Sequence, residues 1–253
     1  MKRLAILATL FLGLAHADDR RVPVVVELFT SEGCSSCPPA DQLLARLDRM
    51  QPVAGARVIA LEEHVDYWNH LGWVDPFSSA LYRARQNDYA HRFFTENIYT
   101  PQMVVNGQTE FLGNDAGRAY QEIGHAAQAQ AMLVELKHGA NGEDPELVDV
   151  SVQVTSPKTS KMRGANVYLA VTENELATNV LGGENSGRQL RHAPVVRSFG
   201  VIGKIDPRGT NSGQITNTLR LPKEWKRENL RAVVFVQERD SSRITGAGIT
   251  DLK

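Results

Sequence analysis

The sequence predicts an α/β N-terminal half followed by an antiparallel β-sandwich. Two patterns carry this prediction. Over residues 22–61 an apolar strand, an amphipathic helix and a second apolar strand succeed one another, the order of a βαβ unit with parallel strands and a right-handed crossover. Beyond residue 131, short runs alternate apolar and polar positions with no helix between them, the texture of a sandwich. The 253 residues are 42% hydrophobic and 23% charged with a formal net charge of −1. Those values suit a two-domain globular chain and exclude a disordered one. They also give no basic footprint for nucleic acid.

Residues 1–17 read as an export signal. Met1-Lys2-Arg3 is a basic start, Leu4 to Leu14 an apolar run, and Ala15-His16-Ala17 a small-residue cleavage pattern. The run is shorter than the roughly 20 residues that span a bilayer. The expected mature chain begins at Asp18, is periplasmic or secreted, and carries no membrane span.

The predicted elements follow in order. Residues 22–29 form a buried strand rich in valine. A Gly-Cys turn leads to a helix over 38–50, with Leu43, Leu44 and Leu47 on one face and prolines where a missing N–H does no harm. Residues 57–61 form the second strand. A helix over 78–94 starts at Ser78 as N-cap and turns Leu81, Tyr82, Tyr89 and Phe93 to one side. Thr100-Pro101 precedes a strand that ends at Asn106-Gly107, a type I′ hairpin signal. The return strand at 108–112 leads to an Ala-rich helix over 115–131. The sandwich strands are expected at 132–137, 147–155, 165–172, 195–202, 215–221 and 232–238. The domains are therefore 18–131 and 132–253.

Two cysteines cannot make a disulfide framework or a four-thiolate zinc site. Both fall in Cys34-Ser35-Ser36-Cys37, at the head of the first helix. Thiols at i and i+3 come within bonding reach. The helix N-terminus favours thiolate, lowering the pKa of the first cysteine below the free value of about 8.5. A lowered pKa beside a resolving thiol is what disulfide exchange requires. The other reading is an inert structural disulfide, although so short a loop restrains little chain entropy.

The strand leading into Cys34-Ser35-Ser36-Cys37-Pro38, the helix after it, and Thr100-Pro101 before a strand-hairpin-helix ending resemble the thioredoxin-like superfamily. The resemblance implies a thioredoxin-like N-terminal domain in which Pro101 is a cis-proline beside the disulfide and Glu27 a buried acid assisting proton transfer. A nearer likeness lies in Glu27-Leu28-Phe29-Thr30-Ser31-Glu32-Gly33-Cys34-Ser35-Ser36-Cys37-Pro38-Pro39-Ala40-Asp41. That run is similar to the signature of a secreted bacterial family known as domain of unknown function number 1223. So are His64-Val65-Asp66-Tyr67-Trp68, Gly72-Trp73-Val74-Asp75-Pro76-Phe77, Tyr99-Thr100-Pro101-Gln102, and Asn185-Ser186-Gly187-Arg188 with His192 and Val195-Val196-Arg197. This likeness implies a thioredoxin-like domain plus a β-rich one, and no activity.

Other clusters give competing readings. His64, Asp66, His70 and His91 raise metal binding, in which Cys34, Cys37 and His64 would hold copper. Trp68, Trp73, Phe77 and Tyr99 wall a substrate groove or pack as core. Asn185, Arg188, Arg191, His192 and Arg197 surround a glycine-rich turn and read first as a solvated loop whose arginines pair with local acids, the other reading being a contact for an anion or an acidic partner. There is no G-x-S-x-G elbow, P-loop or H-E-x-x-H helix. The expected function is an exported thiol–disulfide oxidoreductase acting on protein thiols without a cofactor. Cys34 attacks, Cys37 resolves, Pro101 shapes the docking surface and Glu27 shuttles a proton. The alternatives are a copper carrier and a non-catalytic envelope interaction module.

Overall fold

The computed structural model describes residues 21–129, 132–142, 144–156, 164–205 and 212–253. The expected export signal at 1–17 lies outside them, as does the boundary residue 131. The first half contains β1 (Val22–Thr30), α1 (Pro38–Met50), β2 (Ala56–His64), α2 (Ala80–Phe93), β3 (Gln102–Val105), β4 (Thr109–Leu112) and α3 (Ala116–Ala126). The second contains β5 (Leu133–Ala140), β6 (Leu147–Thr155), β7 (Ala165–Glu173), β8 (Ala177–Asn179), β9 (Gln189–Arg191), β10 (Val195–Ile205), β11 (Ser212–Arg220), β12 (Leu230–Glu238) and β13 (Ile244–Asp251).

Eight of these strands form one mixed sheet in the order β13-β12-β7-β10-β2-β1-β3-β4. β1 and β2 are parallel from Val22↔Ala56 to Thr30↔His64. The other edge of β2 takes β10 at Val195↔Glu62, and β10 continues antiparallel into β7. This corrects the expected fold class. The N-terminal half is not a thioredoxin-like α/β domain beside a self-contained sandwich: strand predominates, only three α-helices occur among the described residues, and strands from both halves share one sheet. The physical reason lies in β2, buried at every position except Arg57. A strand buried on both faces belongs in a sheet interior, where both edges need partners. β1 fills one edge, and the C-terminal half supplies the other.

A second sheet, β11-β6-β5, covers the C-terminal end of the large one. The alternation read at 147–155 turns Val148, Val150, Val152 and Val154 inward against Val167, Leu169, Val234 and Val236. At the other end α1 and α3 pack on Val24, Val26 and Leu28 through Leu43, Leu44, Leu47 and Ile123. α2 covers the opposite face, with Tyr82 and Tyr89 against Val25 and Phe29. Its N-cap is Ser79 rather than Ser78. Leu81 is exposed, and the buried face carries Arg85 and Gln86 beside the tyrosines. The hairpin turn is type I′ as predicted: Asn106 and Gly107 have φ of 47° and 63°, and Gln108 N–H donates to Val105 O at 2.9 Å. Among the described residues no helix is long and apolar enough to cross a membrane.

Candidate functional site

The cysteine loop joins β1 to α1. Cys34 N–H donates to Ser31 O at 3.1 Å and Cys37 N–H to Cys34 O at 3.2 Å, a turn that brings the two Cα atoms to 5.4 Å and closes a disulfide. Cys34 lies before the helix, and Cys37 is its N-cap residue. The prolines at the helix start remove two N–H groups. The next two, of Ala40 and Asp41, donate to Cys37 O at 2.8 and 3.2 Å. The helix end thus directs no spare N–H at Cys34 from its first turn, and the thiolate stabilisation expected from the sequence is weaker than a bare helix N-terminus would give. Cys34 and Cys37 are fully buried, while Ser35 and Ser36 are exposed.

The C-terminal half covers this loop. Asn185 is fully buried and donates from Nδ2 to the carbonyls of Glu32 and Cys34, both at 2.9 Å. Its neighbour Glu184 accepts from Ser35 N–H at 2.9 Å. The covering segment is held against 72–73 by a glycine contact: a Cβ on Gly182 would lie 2.2 Å from Gly72 O. Trp73 Nε1 donates to Glu32 Oε2 at 2.7 Å. Trp68 approaches Gly33 with its Cβ and donates from Nε1 to Thr100 Oγ1 at 2.8 Å. The Thr100–Pro101 peptide is cis, so Trp68 ties the cysteine loop to the proline loop.

Behind the loop lies a buried network of acids and histidines. Glu62 and His64 alternate on β2 and share a face. The Val195↔Glu62 pairing brings His192, just before β10, alongside them. His64 Nδ1 is 2.7 Å from Asp75 Oδ2, and His192 Nε2 is 3.0 Å from Glu32 Oε1. The remaining ring nitrogens, His64 Nε2 and His192 Nδ1, each lie 3.5 Å from Glu62 Oε1. Phe77 seals the group with ring centroids 5.4 Å from His64 and 5.2 Å from His192. Burial disfavours charge on His64, but Asp75 and Glu62 together outweigh it and hold the imidazole well above its ordinary pKa. Burial likewise opposes charge on His192, yet Glu32 and Glu62 raise it to about 9. Glu62 is pulled down to about 2 because the two histidines outweigh its desolvation. Asp41 goes the other way. Burial, with the Glu62 charge adding to it, pushes it up to about 8 against the Thr30 hydroxyl donated to it at 2.7 Å.

The other expected residues are scattered. Glu27 lies on the α2 side of the sheet, paired with Arg85 and Tyr89, and makes no hydrogen bond to either cysteine among the described contacts. The set Cys34, Cys37 and His64 is not assembled: the sulfurs are joined to each other, and the ring nitrogens face Asp75 and Glu62. Asp66 pairs with Arg83 at 3.3 Å, and His70 and His91 are exposed. Of the four aromatics, Trp68 and Trp73 reach the cysteine loop, Phe77 packs on the histidines, and Tyr99 donates to Glu110. In the basic cluster Arg197 pairs with Glu173 and Arg188 donates to Asn185 at 2.9 Å.

Residues 25–237 match the family described as a protein of unknown function, DUF1223. The chain belongs to this family. It is similar to the crystal structure of protein AGR_C_4864 from Agrobacterium tumefaciens, with 27% identity and a TM-score of 0.69 over 92% of this chain and 96% of that one. HBP35 of Porphyromonas gingivalis shares the fold at 16% identity, with a TM-score of 0.63 over 92% of this chain and 76% of the other. No curated protein matches.

Sequence reasoning gave no role to Glu32, Glu62 or Asp75, and read Asn185 and His192 as parts of a solvated loop. One signal was present. Glu62-Glu63-His64 directly continues the apolar run of a predicted strand, and an i, i+2 pair there must share a face. Nothing local announces Asn185 or His192.

Proposed function

We propose that this chain is a thiol–disulfide oxidoreductase whose redox centre is Cys34–Cys37 and that it acts on protein thiols outside the cytoplasm. The observation that carries the reading is the disulfide itself, closed across two intervening residues at the head of α1. Closing so short a loop restrains the unfolded chain by only about 2 kcal/mol in the entropic account, a modest return for a structural bond. In the reductive direction, Cys34 thiolate attacks a substrate disulfide, forming a mixed disulfide and expelling one substrate thiolate. Cys37 thiolate then attacks Cys34 sulfur, releasing the second substrate thiolate and regenerating the observed bond. Two electrons pass from the cysteine pair to the substrate, and the reverse sequence oxidises a substrate dithiol. Pro101 is buried on a loop tied to Gly33 through Trp68, and it shapes the docking surface only after that surface is uncovered. Glu27 is given no direct contact in the exchange. A substrate reaches the sulfurs once the Asn185 segment is displaced.

Equilibration in glutathione and dithiothreitol buffers, followed by alkylation and mass measurement, tests the reading. The expected midpoint lies above about −300 mV, the range below which structural disulfides sit. Cys37→Ser should accumulate mixed disulfides at Cys34. A pair that stays oxidised to that limit while the protein remains folded refutes the proposal.

A further inference from the structure

Apart from the cysteines, one group of buried side chains brings metal-ligating atoms together at a single point. Glu62, His64 and His192 each offer a ligand atom, and these atoms lie within 4.8 Å of one another. The residues are 0%, 1% and 8% exposed. Both Glu62 oxygens, His64 Nε2 and His192 Nδ1 are buried without a hydrogen-bond partner. Unpaired buried polar atoms are uncommon in folded proteins and call for a specific cause.

The outer nitrogens supply that cause. His64 Nδ1 is hydrogen-bonded to Asp75 at 2.7 Å, and His192 Nε2 lies 3.0 Å from Glu32 Oε1 and 3.4 Å from Thr178 Oγ1. A ring nitrogen held against a carboxylate carries the proton, so in a neutral ring the inner nitrogen presents a lone pair. In the metal-free chain both rings are held protonated and their inner N–H groups face Glu62; a cation displaces those two protons and takes both lone pairs and the carboxylate as ligands. Carboxylate–histidine–metal is the arrangement by which proteins fix ligand tautomers. Two of the three ligand separations fit as well, and the third, between the ring nitrogens, lies within 4.8 Å. Tetrahedral bonds of 2.0–2.1 Å separate ligand atoms by about 3.3–3.4 Å, against 3.5 Å for both nitrogen–Glu62 separations.

We propose that Glu62, His64 and His192 form a binding site for a divalent transition metal of the zinc type. Two imidazoles and one carboxylate suit such an ion better than calcium or magnesium, which take oxygen, or Cu(I), which favours thiolate. The site uses neither cysteine and does not depend on the redox reading. It joins β2 to the start of β10 and, through Glu32, reaches the loop that carries Cys34.

The test is calorimetric titration of the chelator-treated, disulfide-intact chain with Zn²⁺, with zinc-edge absorption spectroscopy of the loaded protein. One equivalent is expected to bind, with imidazole nitrogen and no sulfur around the metal. Glu62→Gln keeps the side-chain shape and should weaken binding at least tenfold, as should His192→Ala. Asp75→Asn should weaken it 10–100-fold through His64. The double variant Cys34→Ser/Cys37→Ser should bind as wild type does, so failure of the redox proposal leaves this one standing. A Zn²⁺-dependent rise in melting temperature, present in wild type and lost in Glu62→Gln, reads the same site if a histidine variant fails to fold. Sulfur in the metal shell, no binding by wild type, or equal affinity in Glu62→Gln overturns the proposal.

Discussion

Asn185 and Cys34 lie 151 residues apart in the chain, yet the Asn185 amide donates to the Cys34 carbonyl at 2.9 Å. The same nitrogen holds the Glu32 carbonyl, so one side chain fixes the backbone on both sides of Gly33. Asn185→Ala strips donors from two carbonyls and is expected to cost about 1–3 kcal/mol. It should also speed reduction of the disulfide by dithiothreitol, because the cover loosens. Denaturant unfolding and timed alkylation measure the two effects. An unchanged reduction rate in a destabilised variant would show that Asn185 does not govern access.

Gly182 provides a second way to lift the cover. Its added Cβ would meet the Gly72 carbonyl at 2.2 Å, and backbone cannot yield as a flexible side chain can. Gly182→Ala should therefore reproduce the faster reduction of Asn185→Ala. Gly187→Ala is the control. Gly187 has φ of +80° but open space around its Cβ position, so that change should cost only about 1–2 kcal/mol of backbone strain and leave access to the disulfide as it was.

Arg85 is buried among the rings of Tyr89, Tyr168, Phe199 and Phe235 at 4.9–5.3 Å and pairs with Glu27. Arg85→Met would leave Glu27 buried without its cationic partner, at a cost of about 3–5 kcal/mol. Adding Glu27→Gln should recover part of that loss. If the double variant unfolds no later than Arg85→Met in urea, the pair is not coupled as described.

Asp41 predicts a pH dependence. Burial, then the Glu62 charge, raises its pKa from 3.8 to about 8. The folded chain therefore keeps a proton that the unfolded chain releases, and this contribution to stability is complete below about pH 4. It declines as pH rises and is gone above about 8. In chelator-treated protein, Asp41→Asn retains an acceptor for Thr30 and removes this titration. Its unfolding free energy should fall less than that of wild type between about pH 5 and pH 9. Parallel curves for the two proteins would rule this out.

The local elements of the first half were legible because each rests on short-range pattern. The apolar run of β1, the leucine face of α1 and the Asn106-Gly107 turn all sit where periodicity and turn chemistry put them. The architecture was not legible. Joining β2 to β10 depends on the Val195↔Glu62 register, a pairing between distant segments that no local propensity encodes. The same holds for the site. Cys34 and Cys37 could be picked out by spacing, whereas Asn185 and His192 look like ordinary loop residues until the sheet brings them to the cysteines. α2 was legible in part: Tyr82, Tyr89 and Phe93 do face the core, but Leu81 is exposed and the buried face also holds the polar Arg85 and Gln86, which a count of apolar residues passes over.

The order of the chain sets an order in time. Cys34 and Cys37 emerge from the ribosome well before Asn185, and while the later strands are still being made nothing lies over them. The two sulfurs therefore lack the Asn185 cover during synthesis and gain it only once the C-terminal half docks. Folding of that half is the event that encloses the pair.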